Sequence, residues 1–205
     1  MSARQPAHPV PRALALSLPV LASRTELGPL RRVSPDADCL SRALRGDQDA
    51  LAALVDRHYA HVLRLCRRLV GPQEAADLAQ DTFVRAIERA HQYQGRAAFR
   101  TWLLAIALNL CRSRLRQTRR EITADDLLES VSLDAPPSQG SEDNLHVRQA
   151  VATLPPLQRA VVVLRFYHDL SLEEISQVTG KSVSWVHRSL RSALLALKDA
   201  LSDDD

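Results

Sequence analysis

Apolar residues recur every three or four positions over most of the chain, which is the spacing of one face of an α-helix. In the first half this pattern predicts three helices, over residues 47–70, 73–91 and 97–120. The apolar face of the first helix consists of Leu51, Leu54, Val55, Val62, Leu65, Cys66 and Leu69. The pair Gly71-Pro72 ends this helix, and a turn that contains Gly95 precedes the third.

The second half of the chain predicts shorter helices, over residues 147–152 and 157–168 and then two more. Ser171 and Glu174 form a capping box at the start of a short helix that ends at Gly180. A longer helix follows, with Ser182 or Ser184 as its cap. A short helix, a glycine turn and a longer helix are typical of a helix-turn-helix. A plain helical hairpin is the alternative, because such patterns also arise by chance.

Charge divides the chain more sharply than its formal net charge of +3 suggests. Residues 96–120 contain seven arginines and no acid, and residues 121–144 contain seven acids and no lysine or arginine. Arginines spread around a helix without acids nearby favour a phosphate backbone as their counter-surface. An exposed basic helix end without any partner is the alternative interpretation.

These patterns predict an all-α protein with two small helical domains joined by a flexible acidic linker. The predicted divisions are a disordered N-terminal extension, a first domain, the linker and a second domain, over residues 1–38, 39–120, 121–145 and 146–205. The apolar run at residues 13–22 imitates a secretory signal, but it is short and contains Pro19. No run is long enough to cross a membrane, so we expect no membrane insertion.

The sequence favours a binding protein over an enzyme. Its histidines, cysteines and acids form neither a nucleophile–base pattern nor an HExxH motif nor a phosphate-cradling loop. Cys39, Cys66 and Cys111 lack the spacing of a zinc site or a disulfide framework, so we expect reduced thiols. We therefore predict no metal, no cofactor and no catalytic residue.

Two blocks of sequence resemble bacterial RNA polymerase sigma factors, in particular the compact extracytoplasmic-function (ECF) group. The first block holds DLAQDTFVRA and FRTWLLAIALN, at residues 77–86 and 99–109. The second is LPPLQRAVVVLRFYHDLSLEEIS, at residues 154–176. Together they lie within a match of about residues 47–201, and their order and separation are those of sigma regions two and four.

The resemblance implies an initiation factor that directs promoter-specific transcription, with a stress or envelope regulon. It would act in the cytoplasm, with core RNA polymerase, promoter DNA and an anti-sigma factor as its partners. The implied polymerase contacts are Asp77, Gln80, Asp81 and Arg85. The implied contacts to the opened non-template strand of the minus-ten element are Tyr93, Gln94, Arg96, Trp102, Asn109, Arg112, Arg116 and Arg119. Those to duplex DNA at the minus-thirty-five element are Lys181, Ser182, Ser184, Trp185, His187, Arg188 and Arg191.

The chain departs from the family pattern at several of these positions. The usual IARN is IALN, with Leu108 in place of the arginine, and Ser113 stands where an aspartate is common. In the final helix, WVHRSLRSAL replaces a run of the TVKSRLHRAR type, so the base sequence read there is not transferable. A standalone helix-turn-helix regulator is the rival hypothesis, although it leaves the first block without a role.

Overall fold

The computed structural model describes residues 34–125 and 142–202, and the regular structure in these two ranges is entirely helical. Eight α-helices follow one another: α1 Pro35–Leu44, α2 Gln48–Val70, α3 Pro72–Glu88, α4 Phe99–Asp125, α5 Glu142–Thr153, α6 Pro156–Phe166, α7 Leu172–Thr179 and α8 Val183–Ser202. A 3₁₀ turn, Ala90–Gln92, follows α3. The predicted all-α class is confirmed.

The first domain, α1 to α4, is built around α2. Asp47 caps this helix by accepting a hydrogen bond from the amide of Ala50, and every residue of the predicted apolar face of α2 is buried. Helices α1, α3 and α4 all pack against it. The large side chains enclosed between them include Leu54, Leu65, Phe83 and Phe99. Burial of each such side chain contributes roughly 1.5–3 kcal/mol of transfer free energy.

Helix α1 was not predicted. It begins at Pro35, capped by the Ser34 hydroxyl, and therefore crosses the predicted boundary at residue 38. Its apolar residues are few, so the periodic signal is weak. The carboxylate of Asp36 fixes it to α2 through an ion pair with Arg57 and a contact of 3.1 Å with His58 Nε2.

The second domain, α5 to α8, contains the predicted helix-turn-helix in α7 and α8. The capping box is present, since Ser171 Oγ accepts from the Glu174 amide and the Glu174 carboxylate accepts from the Ser171 amide. Gly180 ends α7 in the left-handed conformation at φ 67°, which turns the chain towards α8. Of the two possible caps, Ser182 starts α8 by accepting a hydrogen bond from the Trp185 amide.

The two domains pack directly against each other. Helix α4 contacts α7, α2 contacts α6, and one apolar cluster continues from the first domain into the second. Helix α4 is consequently buried over more of its circumference than a single domain requires, with Leu104, Ala107 and Leu108 enclosed as well as Phe99, Leu103 and Ile106. The sequence did not predict this contact.

Both ends of the predicted linker are helical in the structure. Helix α4 continues to Asp125 and α5 begins at Glu142, while residues 126–141 lie outside the described ranges. The predicted N-terminal extension also lies outside them, apart from the residues that begin α1. Within the described ranges, no helix combines the length and the apolar character needed to cross a bilayer.

Candidate protein and nucleic-acid interfaces

Helix α3 presents a polar surface next to its buried face. The exposed side chains of Asp77, Asp81 and Arg85 are spaced four residues apart and therefore share one side of the helix, and the half-buried Gln80 borders them. Arg85 Nη1 lies 3.7 Å from Glu88 Oε2, a distance that holds the guanidinium only loosely. The predicted polymerase contacts are thus brought together on one accessible face.

Val84 belongs to the same surface, although the sequence pattern did not indicate it as a functional residue. Its side chain is 44% exposed, although a valine at this position has no place in the apolar stripe of α3. Together with Asp77, Gln80, Asp81 and Arg85 it defines what we term the α3 surface. Protein interfaces combine apolar and charged side chains, so the mixed character of the α3 surface suits a protein partner.

The buried side of α3 explains why the α3 surface faces outward. Ala75, Ala79, Phe83 and Ala86 pack into the domain, and the small alanines allow the helix to approach α2 closely. Thr82 is also buried, and its hydroxyl donates a hydrogen bond to the Leu78 carbonyl at 2.7 Å. Rotation of the helix would expose this stripe, so the orientation of the surface is set by the core.

Helix α4 carries the second candidate surface. Trp102, Asn109, Arg112 and Arg116 follow one another at intervals of seven, three and four residues, which places all four on one side of the helix. Arg119 continues the same side. Asn109, Arg116 and Arg119 are exposed, and Trp102 and Arg112 are half-buried. These five residues are termed the α4 surface.

Not every arginine of α4 is available to a phosphate backbone. Arg114 Nη2 donates to Glu74 Oε1 at 2.7 Å and so links α4 to the start of α3. No acid interrupts these arginines in the sequence between residues 96 and 120. The ion pair shows that a carboxylate 40 residues away in sequence supplies one.

Tyr93 is placed differently from the position its predicted role requires. Its ring is only 5% exposed and packs against Phe99 and Trp102, with centroids 5.5 Å and 5.2 Å away. Its hydroxyl donates to the Ala97 carbonyl at 3.1 Å, and burial raises its pKa. In this conformation the ring supports the turn from inside and offers no face to a base. Its neighbours Gln94 and Arg96, on either side of Gly95, are exposed.

The third surface is at the start of α8. Ser184, His187, Arg188 and Arg191 are exposed and lie on one side of the helix, and Lys181 and Ser182 precede them in the exposed turn. Trp185 lies off this side. Its half-buried ring packs on the apolar cluster, and the Lys181 ammonium is 6.0 Å from the ring centroid. Trp185 therefore orients the turn, while the other six residues form the α8 surface.

The described residues offer no alternative site with the features of a metal centre. In residues 34–125 and 142–202, no three histidine, cysteine, aspartate or glutamate side chains are grouped to hold a metal ion. Cys66 and Cys111 are buried with their sulfur atoms 3.7 Å apart. Their mutual hydrogen bond and their burial raise the pKa of the Cys111 thiol, which makes it a poor nucleophile.

Comparison with known proteins supports the resemblance of the two sequence blocks to sigma factors. The model of sigma-70 region 2 matches residues 54–121, and that of sigma-70 region 4 matches residues 150–199. The RNA polymerase sigma factor YlaC of Bacillus subtilis is 33% identical over 158 residues, which are 74% of this chain and 91% of YlaC. The ECF RNA polymerase sigma factor BldN of Streptomyces coelicolor is 32% identical over 188 residues, which are 85% of this chain and 71% of BldN.

A solved structure shares the arrangement of helices. CnrH, in complex with the cytosolic domain of CnrY, matches with a TM-score of 0.62 and 26% identity, over 84% of this chain and all of the CnrH chain. The two matched regions correspond to the two helical domains described above, in the same order. The chain therefore belongs to the RNA polymerase sigma factors, in their extracytoplasmic-function group.

Proposed function

We propose that this chain is a dissociable initiation factor, which binds core RNA polymerase through the α3 surface and directs it to promoters. The observation that carries the proposal is the grouping of Asp77, Gln80, Asp81 and Arg85 on one accessible face of α3, within the residues that the sigma-70 region 2 model matches. A partner that covers this surface would remove apolar area from water at its centre while the charged rim supplies orientation.

Gel filtration of the purified chain with core polymerase tests this contact. The wild type should comigrate with core, and a Gln80→Ala/Asp81→Ala variant should not, because it lacks two of the polar contacts of the α3 surface. Val84→Asp should also abolish comigration, since a charge would be buried without a partner. Asp56→Ala is the matched control, because Asp56 is exposed on α2 and lies outside the α3 surface.

Two results would contradict the proposal. One is the absence of a complex between wild type and core at low salt. The other is a complex that survives both Gln80→Ala/Asp81→Ala and Val84→Asp, while circular dichroism shows that these variants are folded.

The two DNA-facing surfaces suit different forms of the promoter. The α8 surface begins at a helix N-terminus, where short polar side chains and arginines fit the edges of bases in a duplex major groove. The α4 surface combines a tryptophan, an asparagine and arginines, which suit an opened strand by stacking, hydrogen bonding and phosphate contact. We propose minus-thirty-five recognition for the first and minus-ten capture for the second, with Gln94 and Arg96 beside it.

The rival hypothesis, a standalone helix-turn-helix regulator, accounts only for the second domain. It assigns no purpose to the α3 surface or to the region 2 match. An anti-sigma factor as a further partner, a stress or envelope regulon, and action in the cytoplasm alongside polymerase follow from family membership alone and stay predictions.

A further inference from the structure

The contact between the two domains includes a group of buried and stacked side chains that the proposed function does not use. Residues 167–170, termed the α6–α7 corner, lie against α2 of the first domain. The guanidinium carbon of Arg68 is 3.3 Å from the centroid of the Tyr167 ring, and Arg64 Nη1 donates to the Tyr167 carbonyl at 3.4 Å. The corner itself is held by Arg165, which donates to the Leu170 carbonyl at 2.9 Å.

His168 is the most enclosed polar residue of the corner. It is 2% exposed, and neither of its ring nitrogens has a hydrogen-bond partner. The ring of His61 on α2 faces it with a centroid separation of 6.2 Å, and His61 Nδ1 is likewise buried without a partner. Two histidines from different domains therefore meet at a contact that offers neither of them a hydrogen bond at these nitrogens.

The charged groups that act most strongly on this pair are cationic. On α2 they are Arg64 and Arg68, and at the start of α4 Arg100. Arg148 of α5 acts in turn on Arg68. His58, which contacts Asp36, acts on His61, and the neighbouring carboxylate of Asp169 belongs to an exposed residue. A proton added to either histidine would thus be buried among positive charges.

We propose that the α6–α7 corner and α2 form a latch, which holds the two domains together at neutral pH and releases them when His61 and His168 gain protons. In the closed state both rings are neutral and fill the contact as apolar surfaces. In the released state each ring reaches water, where its charged form is hydrated.

The sign of the pH dependence follows from linkage. Burial, and then the charges of His61 and the arginines, lower the pKa of His168 to about 4 in the closed state, while the ordinary value is 6.5. Burial first and then Arg100 and Arg64 also lower the pKa of His61. The closed state is therefore favoured above pH 6.5 and loses that advantage between pH 6.5 and 4. With a pKa of about 4 in the closed state and 6.5 in the open state, His168 makes the ratio of closed to open molecules roughly thirtyfold lower at pH 5 than at pH 8.

The consequence of opening rests on the proposed function. The minus-thirty-five and minus-ten elements are about 25 base pairs apart by their names, or about 85 Å along a straight duplex. A compact chain of this length has a radius of gyration of about 17 Å. The closed arrangement cannot reach both elements at once, so the two domains must separate before both elements are bound.

Small-angle X-ray scattering of the full chain at pH 8, 6.5 and 5 tests the latch, with circular dichroism at each pH to follow helix content. The wild type should expand as the pH falls, with its helices retained. A His61→Phe/His168→Phe variant should stay compact, with a change in the closed-to-open ratio of less than about threefold, because neither ring can be protonated. His91→Phe, in the exposed 3₁₀ turn, is the control and should behave as wild type.

Further variants cover the possibility that the double variant does not fold. His61→Phe alone, at a half-buried position, should weaken the pH response. Tyr167→Ala removes the ring under Arg68 and should open the chain at pH 8, whereas Phe166→Ala, at the exposed neighbouring position, should not. A wild type that stays compact at pH 5, or that expands over the same pH range as the phenylalanine variants, would overturn the latch. Since no polymerase is present, this outcome is separate from the test of core binding.

Discussion

The first and second domains differ in how they enclose their apolar side chains. The first has a core of its own, in which Phe83 and Phe99 lie between α2, α3 and α4. The second divides its apolar residues between two places. Val151, Leu154, Val162 and Ala193 form a small cluster inside it, while Ile175, Val178 and Val186 join the cluster that continues into the first domain.

This difference makes α4 the support of both domains. One part of its buried circumference closes the first domain, and α7 of the second domain packs against it. The first domain should therefore be stable when the two separate, whereas the second would expose apolar residues that need another cover. The following variants test this asymmetry, beginning with the largest expected effect.

Phe99→Ala should lower the free energy of unfolding by about 3–5 kcal/mol, since Phe99 is fully buried and its ring contacts those of His58, Tyr93 and Trp102. Because α4 supports both domains, we expect both to lose stability together in urea unfolding followed by circular dichroism. Val84→Ala, at an exposed position, should change stability by less than about 0.5 kcal/mol. A second domain that unfolds unchanged in Phe99→Ala would argue against shared support.

Arg188→Ala should affect only the DNA contact of the second domain. In the complex with core polymerase, it should weaken binding of a duplex that carries the minus-thirty-five element by tenfold to hundredfold, or about 1–3 kcal/mol. Arg116→Ala should instead weaken capture of a single-stranded minus-ten oligonucleotide. Fluorescence anisotropy with the two probes measures both, with Lys198→Ala on α8 as the control. If each variant lost the same affinity for both probes, the proposed division between duplex binding and single-strand binding would be contradicted.

Ser171→Ala should destabilise the second domain by about 1 kcal/mol, because it removes the acceptor for the Glu174 amide at the start of α7. Ser192→Ala, at an exposed position within α8, is the matched control and should have little effect. Thermal unfolding of both variants supplies the comparison. An unchanged midpoint in Ser171→Ala would mean that contact with α4 alone holds α7 in place.

Asp47→Asn should have the smallest effect, confined to a pH range. The Ala50 amide and then the Arg42 guanidinium lower the pKa of Asp47, so its carboxylate stabilises the folded state above the unfolded value near 3.8. This contribution is lost as the pH falls through and below that value. The difference in urea midpoint between Asp47→Asn and wild type should therefore be present at pH 7 and disappear in strong acid. A constant difference would rule out the ionised carboxylate as its source.

Local patterns predicted those parts of the fold that local interactions determine. The apolar face of α2 and the capping box of α7 depend on residues three or four positions apart, and both are confirmed. The accessible faces of α3, α4 and α8 follow from the same periodicity, which is why their polar residues group as expected. Short α1, with only three buried residues, produces too weak a signal.

The missed features depend on residues far apart in the chain. Leu108 is 1% exposed, and its departure from the family arginine fits a helix buried on more than one side. The spacing of residues within α4 does not reveal that α7 packs against this helix. Likewise, Tyr93 in an exposed-looking turn gave no sign of packing against Trp102. The available signal for Val84 was a valine out of phase with the apolar stripe of α3.

The chain between α4, which ends at Asp125, and α5, which begins at Glu142, affects how tightly the protein binds. The sixteen residues between them limit the separation of these helix ends to about 60 Å. Once one domain is bound, the tether holds the other near its own site at an effective concentration of the order of millimolar. Two weak attachments thus combine into a strong one, and cleavage of the tether would weaken binding even with every contact residue intact.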